Sequence, residues 1–159
     1  MHTEIHYYLY TALDGAPDVL ETLAGIVPGD AWDFRPDPER FTLREVYKHL
    51  AIWDAIFLER TRQMLAREAP ELPYMWQTVE ELATIYATAD PAACIAELRA
   101  TRAEYVALLK SLTAEQWQRI GIHPRIGAVT IEANTTMVVG HDAYHTAQIA
   151  QWIRVAKGR

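Results

Sequence analysis

The sequence predicts an all-α fold, a four-helix bundle, and three observations carry that expectation. Apolar residues recur at intervals of three and four over four long stretches, the spacing of a helix with one buried face. No segment shows the period-two alternation of a half-buried strand. Helix starts are also written into the chain: Thr42 is followed three residues later by Glu45, Thr78 by Glu81, and Asp90 stands directly before Pro91. At 159 residues, half of them hydrophobic, the chain is read as one domain, 1–159, with a sizeable core.

The first helix is expected from about Thr3 to Ala24, with Ile5, Leu9, Ala12, Leu13, Ala16, Leu20 and Leu23 on its stripe. Pro17 lacks an amide donor, so a kink or a break with restart is expected there. His6 reads as a half-buried histidine of the first turn. Residues 25–40 form a connection in which Trp32 and Phe34 plug one end of the core. The second principal helix runs from about Leu43 to Arg67. Thr42 and Glu45 form its capping box, with Phe41 and Val46 placed as a hydrophobic staple. Its inward stripe is Val46, His49, Leu50, Trp53, Ile56, Phe57 and Met64.

Residues 68–90 make a long link with Pro70, Pro73 and the aromatic group Tyr74, Met75 and Trp76; a short helix begins after Thr78. A link of this length permits a crossover rather than a tight antiparallel hairpin. The third principal helix spans about 91–112, with Ile95, Leu98, Tyr105, Leu108, Leu109 and Leu112 inward and Arg99, Arg102 and Lys110 on a solvated face. A short turn opens at Thr113, and 121–129 reads as a loop containing His123-Pro124 and Gly127. Thr130 caps the fourth principal helix, which runs to about Ala156.

The net charge of −6 and the pI near 5.5 argue against a nucleic-acid binder, which needs a basic face. Cys94 is the sole cysteine, so an intramolecular disulfide and a CxxC site are excluded. The opening residues lack the pattern of a secretory signal, and no apolar run approaches the roughly 20 residues of a membrane span. A cytoplasmic protein without membrane contact is the expectation.

The chemistry-bearing stretch is 140–148. His141 and His145 are four apart, hence on one helix face, and can share one metal ion without bending the backbone. His2 and His6 have the same spacing but lie on no comparably apolar helix. His49, in the middle of an apolar face, is the possible third ligand; on its own it would read as a core histidine. Gln148 continues the histidine stripe and either orients a ligand or points at a substrate. Trp53, one turn after His49, and Tyr144, beside the pair, are candidate pocket walls. Asp142 points roughly 100° from His141 and is not read as a ligand. Three imidazoles leave a coordination position open, the pattern of catalytic rather than structural zinc. Zinc or nickel suits such a site, with iron as a further option. A row of small residues, Gly140, Ala143, Ala147 and Ala150, lets another helix approach, from the same chain or from a second subunit.

Taken together, these residues resemble the DinB/YfiT-like superfamily of four-helix-bundle metalloenzymes. The resemblance covers nearly the whole chain. It rests on Trp32-Asp33-Phe34-Arg35-Pro36, on 41–50 from Phe41 through His49 to Leu50, on Leu109-Lys110-Ser111-Leu112-Thr113, on His123-Pro124 with Gly127, and on His141-x-x-x-His145-x-x-Gln148. It implies an up-down-down-up bundle, a divalent metal on His49, His141 and His145, and a homodimer. It also implies relatives that transfer low-molecular-weight thiols, isomerise or hydrolyse. No residue is assigned as catalytic. The expected function is a metal-dependent transferase using a small thiol. The alternatives are a metal-dependent hydrolase, a non-catalytic metal-binding stress-response bundle, and a plain bundle with core histidines.

Overall fold

A computed structural model describes residues 3–75 and 77–158. His2 and Trp76, which entered the sequence reading, lie outside the described residues. The long helices are α1 (Glu4–Ala24), α2 (Leu43–Ala66), α4 (Pro91–Ser111) and α6 (Ile131–Lys157), with short α3 (Val79–Ala87) and α5 (Ala114–Trp117) between them. Capping sets the starts as expected: the Thr42 side chain accepts from the Glu45 amide, and the Glu45 carboxylate accepts from the Thr42 amide at 2.7 Å. Thr78–Glu81 repeats the device, and Asp90 and Thr130 cap α4 and α6.

Cross-helix contacts fix the directions. Lys48 meets Glu97 and Thr61 meets Tyr105, so α2 and α4 run parallel. Phe41 meets Trp152 and Phe57 meets Asn134, so α2 and α6 are antiparallel. Arg99 reaches Asp18 and Glu21 while Lys110 reaches Asp14, so α1 opposes α4. The order is therefore up-down-down-up, and α1 and α2 each pack against both α4 and α6. The 67–90 link carries the crossover between the two parallel helices. Buried apolar side chains form two layers. One holds Leu20, Val46, Leu50, Leu98 and Trp152, with Trp32 and Phe34 packed at its edge. The other holds Leu13, Phe57, Met64, Tyr105, Leu109 and Trp117.

Four expectations need correction. Helix α1 runs through Pro17 without the break and restart that the sequence allows there. A proline at 17 leaves the Leu13 carbonyl without its helical donor, and here the Arg102 guanidinium donates to that carbonyl at 3.0 Å. Arg102 is accordingly not on a solvated face: it is 1 % exposed and ion-paired to Asp54 and Asp142. Its position was legible after all, because Leu98, Arg102, Tyr105 and Leu109 follow one another at helical spacing on the inward stripe. Arg99 and Lys110 do stand in solvent. His6 is buried rather than half-buried, stacked on Trp117 at 4.0 Å and bonded to Glu132.

The fourth correction concerns 120–130, which is an antiparallel hairpin, β1 (Ile120–His123) and β2 (Gly127–Thr130), with Ile120 opposite Thr130 and His123 opposite Gly127. Four-residue strands are too short to display a period of two convincingly. Gly127, at φ +80°, turns the chain, and Gly121 packs so tightly that a Cβ there would meet Leu72 and Met64 at under 3 Å. The 70–72 segment lies along β1, with Ile122 donating to the Pro70 carbonyl and Leu72 donating to the Ile122 carbonyl. The hairpin thus brings His123 and Arg125 to a cavity that His141 also borders. Elsewhere on α6, Gly140, Ala143, Ala147 and Ala150 remain exposed, the three alanines beside α1, and no helix among the described residues covers them. No helix among the described residues is long and apolar enough to cross a membrane.

Candidate metal centre

His49 projects from the second turn of α2, and His141 and His145 from successive turns of α6. The antiparallel packing of these helices brings the three rings together. One candidate ligand nitrogen from each lies within 4.8 Å of the others. The ring centroids are 4.6–5.1 Å apart, and His49 Nε2 and His141 Nε2 are separated by 3.0 Å. Two nitrogens at 2.0–2.1 Å from a tetrahedral ion would be about 3.3 Å apart, so the His49–His141 pair already stands near that spacing, and the wider nitrogens, within 4.8 Å, must close on an ion by side-chain rotation. Asp142, between them in sequence, is turned into the ion pair with Arg102 and takes no part.

The outer nitrogens are held. His145 Nδ1 lies 3.0 Å from Gln148 Oε1, while Gln148 Nε2 donates to the Phe41 carbonyl. The second contact fixes the amide orientation, so Gln148 Oε1 accepts a hydrogen bond from the His145 Nδ1–H and leaves His145 Nε2 as the lone-pair nitrogen. Gln148 is buried, with its side chain engaged by both His145 and the Phe41 carbonyl. His49 Nδ1 lies 3.2 Å from the Tyr86 hydroxyl. Burial, and then the charge of Glu45, push that phenol up to about 12, so it stays neutral. Nothing local in the sequence marks Tyr86, which reaches His49 from α3.

Burial is also what keeps the imidazoles unprotonated. It pulls His49 down to about 2 and His141 to about 3, helped by the neighbouring imidazoles and, for His141, by Arg102. His145 is lowered by burial, against the opposing bond from Gln148. Near neutral pH all three offer lone pairs, the form a metal requires.

Two cavities flank the cluster. One, of about 460 Å³, lies between α2, α3 and the 35–41 connection, lined in part by Phe41 and Tyr86. The other, of about 540 Å³, lies between α2, the hairpin and α6, lined in part by Phe57 and Met137. His49, Trp53 and Tyr74 border both. Trp53 is therefore a wall, its ring 6.1 Å from His49 and 6.0 Å from His141. Tyr144 touches His145 edge-on at 4.9 Å, but is 58 % exposed and stands at the rim of a smaller third cavity. Cys94 is buried in the core, away from these cavities.

Comparison with known proteins places these features in context. The sequence profile of the DinB superfamily matches residues 12–149. A Bacillus subtilis protein named "Putative metal-dependent hydrolase YfiT" is 32 % identical over 116 residues; the match spans 72 % of this chain and 65 % of YfiT, just under two thirds of its length. The solved structure of YfiT superposes with a TM-score of 0.88 at 26 % identity, covering 99 % of this chain and 90 % of that one, and is described as having an unusual four-helix bundle topology. YjoA, a DinB-like protein of Bacillus subtilis, shares the fold at TM-score 0.65 and 16 % identity, over 94 % of this chain and 92 % of that one. So does a mycothiol-dependent maleylpyruvate isomerase, at TM-score 0.70 and 14 % identity, over 92 % of this chain and 62 % of the isomerase.

Proposed function

Since the chain belongs to the DinB superfamily, we propose that it is a metal-dependent enzyme in which His49, His141 and His145 bind one divalent ion, and that it transfers a small thiol to an electrophile. The observation that carries the reading is the convergence of three neutral imidazoles at the junction of two cavities. Zinc and nickel suit the all-nitrogen set best, with iron a further option. Three neutral ligands leave the ion its full charge and an open position, and an ion so held lowers the pKa of a thiol or water bound to it.

The surrounding residues supply position and exclude water. Gln148 and Tyr86 hold the outer nitrogens of His145 and His49; Trp53 walls the cavities against which an apolar electrophile packs. The chain offers no nucleophile of its own: Cys94 is buried, and burial raises its thiol pKa. Glu45 is engaged by the Thr42 amide and by Arg35, and Asp142 by Arg102. With Glu45 and Asp142 both committed, neither is free to serve as the base that an attacking water needs, which favours an incoming thiolate.

Hydrolysis is the second reading. It is favoured by the name of the relative YfiT, a metal-dependent hydrolase, and by Glu39, an exposed carboxylate lining two of the cavities without an ion pair among the described residues. The test is zinc- or nickel-reconstituted protein with a panel of cellular thiols and a chloronitrobenzene. Metal-dependent conjugation is expected. Metal-dependent ester or amide hydrolysis without conjugation, reduced by Glu39→Gln, would select the second reading.

Two further outcomes are expected. Gln148→Leu removes the acceptor that orients His145, and should weaken zinc binding about 10–100-fold in a chelator competition titration. The chain should also form a homodimer through the exposed Gly140, Ala143, Ala147 and Ala150 face of α6 beside α1. Light scattering would show a dimer for the parent and a monomer for Ala147→Trp, a substitution at an exposed position.

A further inference from the structure

We propose that the cavity between α2, the hairpin and α6 binds the carboxylate of a small organic acid with an apolar body, anchored by Arg60. The inference rests on the reading of the histidine cluster as the reaction centre, and names the class of molecule brought to it.

Arg60 is 1 % exposed, yet no carboxylate pairs with it among the described residues. Its Nε donates to the Pro73 carbonyl at 2.8 Å, while its Nη2 is buried without an acceptor. Arg102, equally buried, shows what the fold does with a structural arginine: two carboxylates and a carbonyl surround it. Arg60 has instead a box of rings, with its guanidinium carbon 5.3 Å from Phe57, 5.4 Å from Trp53 and 5.9 Å from Tyr74. Such rings offset part of the cost of burying a cation, but supply no hydrogen-bond acceptor in the guanidinium plane.

The same wall carries further donors. The Trp53 indole Nε1 is buried and also lacks an acceptor among the described residues. His123 Nδ1 accepts from the Arg125 amide, which leaves the proton on Nε2. Arg125 lines the same cavity, and its guanidinium contacts the Tyr74 hydroxyl. Among the described residues no aspartate or glutamate lines this cavity, although the chain as a whole carries a net charge of −6. A lining rich in donors and poor in acceptors calls for a ligand that brings acceptors. The planar fork of arginine matches the two oxygens of a carboxylate. Phe57, Trp53 and Met137 supply apolar wall for the rest of the molecule. His49 and His141 border the same space, so an acid held at Arg60 has its far end beside the histidines.

The test is calorimetry on metal-free protein with phenylacetate, phenylacetamide and inorganic phosphate. Phenylacetate should bind, with the amide at least about tenfold weaker because the charge-assisted bonds are lost. Phosphate should not compete. Arg60→Met should weaken phenylacetate at least about tenfold, with Arg60→Lys recovering part of the loss. Arg125→Ala, at an exposed position, should weaken it about threefold and avoids any folding defect of the Arg60 variants. Equal binding of acid and amide, effective competition by phosphate, no binding by the parent, or binding only after zinc is added would each overturn the proposal. Arg60-dependent binding by a protein that takes up no zinc would leave the carboxylate site standing and remove the metal reading instead.

Discussion

Replacing Arg102 with alanine is expected to destabilise the protein by about 3–5 kcal/mol, because it strands two buried carboxylates. The Arg102 guanidinium donates to Asp54 at 2.7 and 3.0 Å, to Asp142 at 2.8 Å and to the Leu13 carbonyl at 3.0 Å. One side chain on α4 therefore joins α2, α6 and α1, and satisfies the carbonyl that Pro17 frees. Burial alone would lower the arginine pKa; Asp54 and Asp142 hold it above its ordinary value, so the charge persists. In thermal unfolding the loss should appear as a fall of roughly 6–20 °C for a domain of this size. Arg102→Lys should recover part, since a point charge cannot repeat the fork. Replacing all three charged groups together by apolar residues should cost far less than Arg102→Ala, since no charge is then left unpaired. Unfolding of Arg102→Ala within about 1 kcal/mol of the parent would mean that the triad adds little.

The second large effect is expected at His145. It is 5 % exposed and is held from behind by Gln148. His145→Ala removes one of three proposed ligands, and zinc affinity should fall by more than the about 10–100-fold expected for loss of an orienting contact. Stability reads the same event. At free zinc a thousandfold above the dissociation constant, binding to the folded state adds about 4 kcal/mol. The parent should therefore gain thermal stability on zinc addition, and His145→Ala should gain almost none at the same concentration. An equal gain in both proteins would show that zinc binds elsewhere.

Much of this was legible in the chain. The capping pairs Thr42–Glu45 and Thr78–Glu81 are local, so their residues are readable in order, and they set the helix starts. The i,i+4 spacing of His141 and His145 fixes a shared face, and the apolar neighbours of His49 turn it inward. What escaped depends on contacts between distant segments. The stripe of Leu98, Tyr105 and Leu109 marks Arg102 as inward, but not what neutralises it there, because its partners lie 48 and 40 residues away. Tyr86 reaches His49 across 37 residues from a short helix. The hairpin gains its order from pairing with the 70–72 segment and from packing of Gly121 on Leu72 and Met64. Arg60 lies at helical spacing from Phe57 and Trp53, so its burial could have been inferred; its lack of a carboxylate partner could not.

Elemental analysis of protein purified without a histidine tag, beside the His49/His141/His145 triple alanine variant, tests the central claim most directly. The account predicts close to one divalent metal ion per chain in the parent and none in the variant, with the helical circular dichroism of the two alike. Full metal retention by the triple variant, or a parent that remains metal-free after equilibration with zinc and nickel, would contradict it.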